Sequence, residues 1–464
     1  MMVSLWGWSR GPLGWADFGL LAVLLGAFGW SAWSAGPCGD SACGAFLDDR
    51  RWSWWKAALA LLASEISALT IVALPAAAFA GGWIYAQFFM GALLGRAVCW
   101  WLIPILREGS TVTVYGWAGA RLGKPTACAA AALFSVGRWL SSSLRLAVAA
   151  MALSLLSGPG RGWCILLLCV AAGAYVGRGG LRAVARASAV QCGVMLCAVA
   201  ASGCYVFRHI PGGFHGAWRI AAEGGRLAFY EGAGSFAVAC LYGLVGAFAG
   251  FAADHELVQK LLACRSDMEA RRALAASTAA SAVALVGLLG FGTCLYAFYR
   301  AHTALAVPER LDDIVTHFAA TMLPAPLRGL LAAAVFMAAM NLPLSSLSAV
   351  TWSELGPGRE PLGSRMRRGL AWSWAAALGA AALALLSRPM LERLAIDAWP
   401  VAAGPLLGLV LAAAARRRRG ALPAAAAVVV SAGLAFAAHR GAFSLDAGWL
   451  IPVGAVVTLA LAWF

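Results

Sequence analysis

Along most of this chain, polar residues act as punctuation between apolar runs. Stretches of about 20 apolar residues, enough to cross a bilayer, recur from one end to the other. The loops between them are short and collect Arg, Gly and Pro. The pattern predicts thirteen spans: 16–35, 53–80, 83–106, 127–156, 162–178, 184–206, 235–253, 273–299, 325–351, 369–387, 396–415, 421–438 and 447–463. Two of these look interrupted. The run 53–80 is too long for a straight crossing at about 1.5 Å per residue, and its middle reads ASEISALT with Pro75 following. Ser and Thr satisfy backbone groups freed by an unwound turn, and proline removes one helical bond. The run 235–253 holds three glycines, with a fourth just before it, in GSFAVACLYGLVGAFAGFAAD. They mark either a second broken helix or a close helix–helix contact. Interrupted helices at matching places in two halves would indicate an inverted-repeat transporter with its site near the bilayer midplane.

Composition sharpens this. Hydrophobic residues make up 62% of the chain and charged residues 12%, where a soluble domain carries about 25% charged. The whole of 1–464 therefore reads as a single all-α polytopic membrane domain whose surroundings are lipid. The formal charge of +15 raises the question of nucleic acid, but its location answers it. Arg and Lys sit in the short loops, where they set topology. Arg50, Arg51 and Lys56 lie on the richer side, as do Lys260, Arg271 and Arg272, and the run Arg416–Arg419. That side is expected to be cytoplasmic. The N-terminus is then outside and the C-terminus inside, in a cell membrane. The first run, 16–35, reads as a retained helix, since a secretory leader is shorter in its apolar part.

Most of the 12 cysteines lie inside apolar spans, where they behave as small hydrophobes. Cys38 and Cys43 share a loop on the cytoplasmic side, where disulfides are rare. No CxxC or Cys/His cluster suggests a metal centre. No nucleophile elbow, P-loop or HExxH appears, so the expectation is a protein that is not an enzyme and carries no organic cofactor.

Several runs, in order, resemble the sodium/solute symporter family. They are ASEISALTIVALPAAAF (63–79), LLGRAVCWWLIPILREGSTVTVYGWAGARLG (93–123), GRWLSSSLRLAVAAMAL (137–153), YVGRGGLRAVARASAVQ (175–191), ADHELVQKLLACRSDMEARRAL (253–274), LPAPLRGLLAAAVFMAAM (323–340) and GPLLGLVL (404–411). The resemblance implies a five-plus-five, LeuT-like core. Its first repeat would be 53–206 and its second 235–415, with 16–35 and 421–464 peripheral. It also implies a sodium ion between the first core helix and the eighth. Ala63 and Ile66 match the carbonyls from the first helix, and Ala338 the carbonyl from the eighth. The two adjacent hydroxyls of that helix match Asn341 and Leu342, in FMAAMNLPLSSLSAV. An Asn can offer one oxygen; Leu offers none. Ser188 stands where the family has an acid, with Gln191 kept. The sodium site is therefore expected to be altered. Ser345 and Ser346, one turn on, would restore two hydroxyls if the register slipped by a turn.

Four charged residues fall well inside the spans, namely Glu65, Arg96, Arg138 and Arg145. Charges there are costly, and function is the default reading. Glu65 could hold a proton or cation, or pair with an arginine. Arg138 and Arg145 are seven apart and share a helix face. A guanidinium matches a carboxylate through two parallel bonds, and the resemblance selects Arg145 for a substrate carboxylate. It also turns Ser67 and Thr70 toward substrate. Gln87, the single amide of its helix, is a candidate partner, with Phe248, Phe251 and Tyr242 as walls. Arg96 is expected to be structural. The expected function is secondary transport of a small polar, anionic organic solute by alternating access. Coupling is to sodium at an altered site; the alternatives are protons, no ion, or a non-transporting membrane sensor.

Overall fold

The computed structural model describes residues 11–230, 233–356, 362–386, 389–415, 421–437 and 449–463. The run Arg416–Arg419, with Arg10, Arg359, Arg388 and Arg440, lies outside them. The described residues form helices and no strands. In chain order these are α1 (Trp15–Trp33), α2 (Ala42–Leu47), α3 (Trp54–Glu65), α4 (Ala68–Gly81), α5 (Tyr85–Leu106), α6 (Val114–Leu122), α7 (Lys124–Ser157), α8 (Arg161–Arg208), α9 (Gly213–Glu223) and α10 (Ala233–Ala253). They continue as α11 (His255–Leu262), α12 (Asp267–Ala301), α13 (Ile314–Thr321), α14 (Leu327–Met340), α15 (Leu344–Val350), α16 (Ser364–Leu385), α17 (Pro389–Ala414), α18 (Ala421–Ala437) and α19 (Leu450–Trp463). Among the described residues, 8 helices are long and apolar enough to cross a membrane, or up to 9 with a bent pair joined. The protein is a multi-pass membrane protein.

The bent pair is α3 and α4, which turn by 62°. The break is local chemistry. Ile66 leaves helical geometry at φ −94°, ψ 87°. Ser67 then caps α4, accepting from the Thr70 amide while Thr70 Oγ1 accepts from the Ser67 amide, a reciprocal capping box. Thr70 Oγ1 also donates to the Glu65 carbonyl at 3.3 Å, quieting one oxygen freed by the break. Pro75 does not break the chain; it lies inside α4.

A second break parts α14 from α15 at Asn341–Pro343. Pro343 has no N–H to give, Asn341 sits at φ −78°, ψ 58°, and the Leu342 amide reaches back only to the Met340 carbonyl at 2.8 Å. A third falls at Asp254, whose carboxylate accepts from the Glu256 amide at 2.9 Å and starts α11. The glycine-rich α10 itself is unbroken. Its glycines serve contact: a Cβ on Gly243 would lie 1.8 Å from the Phe88 carbonyl oxygen, and one on Gly91 the same distance from that of Cys240. Hence α5 and α10 touch backbone to backbone.

Runs 162–178 and 184–206 are both in α8, hinged at Gly180, whose φ of +54° suits glycine. The helix α1 is clasped to the start of α14. Asp17 accepts from the amides of Gly14 and Gly329 at 3.0 and 2.9 Å and lies 3.4 Å from Arg328.

Candidate functional site

The breaks at Ile66 and Asp254 open onto one cavity of about 360 Å³, the size range of small-ligand sites, roughly 300–1,000 Å³. Ser64, Glu65, Ile66, Thr70 and Leu74 line it from the broken pair. Phe88, Phe89, Ala92 and Arg96 come from α5, Gly246, Gly250 and Phe251 from α10, and Ser281 to Leu288 from α12. Arg138 and Arg145 enter from α7, with Asp254, Glu256 and Trp399 beside them. One end is therefore apolar and aromatic; the other carries charge.

The charges fall into separate sets. Glu65 pairs with Arg96 and accepts from Ser281 Oγ at 2.8 Å. Arg96 lies over the Phe251 ring, 4.7 Å from its centre. Arg96, expected to be structural, turns inward to this pair: Glu65 is close, and pairing is cheaper than leaving either charge alone in an apolar surround. Arg138 is almost fully enclosed. It pairs with Asp254 and with Glu256 at 3.3 Å, and stacks 4.2 Å from the centre of Trp399. Arg145 is half-buried on the same face of α7 and makes no hydrogen bond or ion pair with any described residue.

Behind Ser64 lies Lys260, which is buried. Its ammonium donates to Ser64 Oγ at 2.5 Å and to the Glu256 carbonyl at 3.0 Å, and stands 3.9 Å from the Glu256 carboxylate. Asn341 Nδ2 donates to the same Ser64 oxygen at 3.2 Å. Burial pulls the Lys260 ammonium down to about 8, with Glu256 opposing. Burial pushes the Glu256 carboxyl up, yet Arg138, Lys260 and Arg145 together hold it below the ordinary carboxylate range. His255, enclosed between the rings of Tyr115 and Phe134, is pulled by burial to about 3 and stays neutral. The C-terminal carbonyls of α11 are taken by Arg107, which donates to Leu261, Leu262 and Cys264.

The structure brings Glu65, Ile66, Thr70 and Arg145 to the cavity wall. It does not bring Ser67, Gln87 or Phe248 there. Ser67 is spent on capping α4. Gln87 is fully buried and donates to the Phe229 carbonyl. Phe248 is partly buried against the core, its carbonyl accepting from Cys99 Sγ. Phe251 is on the wall, and Tyr242 instead packs edge-on to Trp449.

At the junction of the broken pair with α14 and α15, the Ala63 carbonyl accepts from Gln191 Nε2 at 3.2 Å. Ala338 is buried close to the break, and Leu342 adds only carbon. Ser188 donates to its own helix at Val184, 2.8 Å away. Ser345 accepts from Gln259 at 3.2 Å, and Ser346 donates to the Pro343 carbonyl at 3.0 Å. Asp254, Glu256 and Lys260 are the site residues that sequence reasoning passed over. Their signal was present: three charges at 254, 256 and 260, directly after an apolar span and among apolar neighbours.

Comparison with known proteins fits this geometry. A model of the "Sodium:solute symporter family" matches residues 46–353. The chain belongs to that family. Among its relatives, the sodium/sialic acid symporter NanT of Aliivibrio fischeri is 24% identical over 314 residues, covering 64% of this chain and 60% of that protein. Sodium-coupled monocarboxylate transporter 1 of Homo sapiens is 24% identical over 405 residues, covering 78% of this chain and 62% of that protein. The chain thus spans less than two thirds of the length of these curated relatives. A solved Na+-coupled sialic acid symporter, substrate-bound and outward-open, superposes with a TM-score of 0.86 at 19% identity, over 97% of this chain and 96% of that one. Its fold is shared. The family and its structural neighbour are transporters, not enzymes.

Proposed function

We propose that this family member is a secondary transporter that carries a small anionic organic solute across the cytoplasmic membrane by alternating access. One observation carries the proposal. Of the three arginines in the cavity, Arg96 and Arg138 are matched by internal carboxylates and Arg145, among the described residues, is not. An unmatched guanidinium in a partly dry cavity favours a ligand that brings its own carboxylate, held by two parallel bonds. Thr70 and Ser281 bring hydroxyls to the same cavity, and Phe88, Phe89 and Phe251 an apolar wall. The names of the relatives, sialic acid and monocarboxylate transporters, point to the same solute class.

In this reading the core is the five-plus-five inverted repeat over 53–206 and 235–415, within thirteen spans, with 16–35 and 421–464 peripheral, the N-terminus outside and the C-terminus cytoplasmic. The junction built from Ala63, Ile66, Ala338 and Asn341 is an altered form of the family's sodium site. Glu65, engaged by Arg96 and Ser281, is a holding residue rather than a free proton acceptor.

The test is uptake into proteoliposomes of the purified protein, using labelled N-acetylneuraminate and a series of labelled monocarboxylates. At least one should accumulate in wild type. Arg145→Gln should weaken its affinity by about 10- to 150-fold, the loss of a charge-assisted pair worth roughly 1.5–3 kcal/mol, and Arg145→Lys should recover little. No carboxylate moving, or full affinity in Arg145→Gln, would end the anion reading.

A further inference from the structure

The junction between the broken pair and α14/α15 is furnished with nitrogen where a cation would want oxygen. The Ala63 carbonyl accepts from the Gln191 amide. Asn341 turns its N–H toward Ser64. Leu342 contributes no donor atom. Ser64 Oγ accepts both from Asn341 and from the Lys260 ammonium, so its two lone pairs are taken. A positive charge is already there, on a side chain.

The charges around the cavity make that cation consequential. Arg96, Arg138 and Arg145 balance Glu65, Asp254 and Glu256. Lys260 is the surplus. The charged groups that face it among the described residues can be named. Asp254 and Glu256 come from the start of α11, Glu65 from α3, and Arg138 and Arg145 from α7; His255 is neutral. The helices α2 and α15 bring no charge. Arg121 of α6 and Asp267 and Glu269 of α12 are tied instead to Glu108, Arg107 and Arg265.

We infer that the cation of this junction is the ε-ammonium of Lys260, and that the ion moved with a monoanionic solute is its proton. The second half rests on the anion reading above; the first does not. Protonated, Lys260 gives the site one net positive charge, which a carboxylate on Arg145 would cancel. Deprotonated, the empty site is already neutral. Proton and anion are therefore taken up together and released together. On release, the N–H bond of the ammonium breaks and its electron pair stays on nitrogen. The proton passes to water in the cavity by way of Ser64, which lines it, and no oxidant or further reactant enters. Glu256, held ionised by Arg138, keeps the amine within reach of reprotonation.

The experiment compares melting of the detergent-purified protein in sodium chloride and in choline chloride of equal strength, at pH 6.5 and 9.5. No solute is added, so the result is independent of the anion reading. Wild type should melt alike in both salts at pH 6.5, where the ammonium fills the junction. At pH 9.5, with the amine neutral, sodium should raise the melting temperature by about 2–4 °C. Lys260→Arg carries a cation that does not titrate and should show no sodium response at either pH. Lys260→Met should respond at both. Sodium stabilisation of wild type at pH 6.5 would overturn the inference. So would a response of Lys260→Arg at pH 9.5 equal to that of wild type, and this pair decides the matter even if Lys260→Met does not fold.

Discussion

The pair α3/α4 is parted by a 62° bend, while α10 runs unbroken from Ala233 to Ala253. Both helices line the same cavity, and both depart from an ordinary apolar span. Their departures differ in kind. Around the bend, the side chains of Ser67 and Thr70 offer the backbone alternative partners, and the helix comes apart there. In α10 the glycines offer no partner at all. They remove side chains, so that α5 can approach to contact. Polar groups open a membrane helix because freed N–H and C=O groups must be satisfied within it. Glycines alone leave every backbone bond in place, and the α10 break waits until Asp254, where a carboxylate can cap the next turn. Opened backbone holds charges at the cavity; closed backbone holds the walls in position.

The strongest way to break that comparison is to put bulk into the close contact. Gly91→Leu would place carbon within 1.8 Å of the Cys240 carbonyl oxygen. Rigid backbone cannot yield there, so the protein should fail to fold, in the class of changes costing more than about 4 kcal/mol. Size-exclusion chromatography should show aggregate. A monodisperse Gly91→Leu protein would mean that α5 and α10 do not touch through these glycines.

Next in size is the charged end. Arg138→Leu leaves Asp254 buried without its cation and Glu256 with Lys260 as its remaining ion pair. Removing one partner of such a set costs about 3–5 kcal/mol, so thermal melting in detergent should fall well below wild type. Arg138→Leu combined with Glu256→Gln should recover part of the loss. No recovery would show that the cluster is not held by its own charge balance.

The cap of α4 should matter less. Ser67→Ala removes the acceptor of the Thr70 amide and costs about 1 kcal/mol. The melting temperature should drop by a few degrees, and solute affinity should stay, because Ser67 is not on the cavity wall. A large affinity loss with unchanged melting would return Ser67 to the solute.

The smallest effect has the opposite sign. Gly246, three residues from Gly243, is open, its nearest obstacle being the Phe88 ring at 3.7 Å. Gly246→Ala should be neutral or stabilise by up to about 1 kcal/mol. A loss as great as that at Gly91 would mean that every glycine of α10 packs backbone to backbone, and the contrast would narrow.

The order of the apolar runs, the polar break inside 53–80 and the inward arginines were legible along the chain. Each is a local property: length, hydropathy, and residues that compete for backbone hydrogen bonds. The residue types at Asn341 and Leu342 were equally visible, because an amide and a hydrocarbon differ as donors wherever they stand. Partnership was not legible. Glu65 could have met Arg96, Arg138 or Arg145 from spacing alone; packing gave it Arg96 and left Arg145 unmatched. Glycines at 243 and 246 read identically until the neighbour is known. Lys260 looked like one more loop cation, and only folding buried it against Ser64 and Glu256. Composition and periodicity settle which residues leave water. Which charge meets which depends on contacts between residues nearly 200 positions apart, such as Ser64 and Lys260, and so only the tertiary structure could decide it.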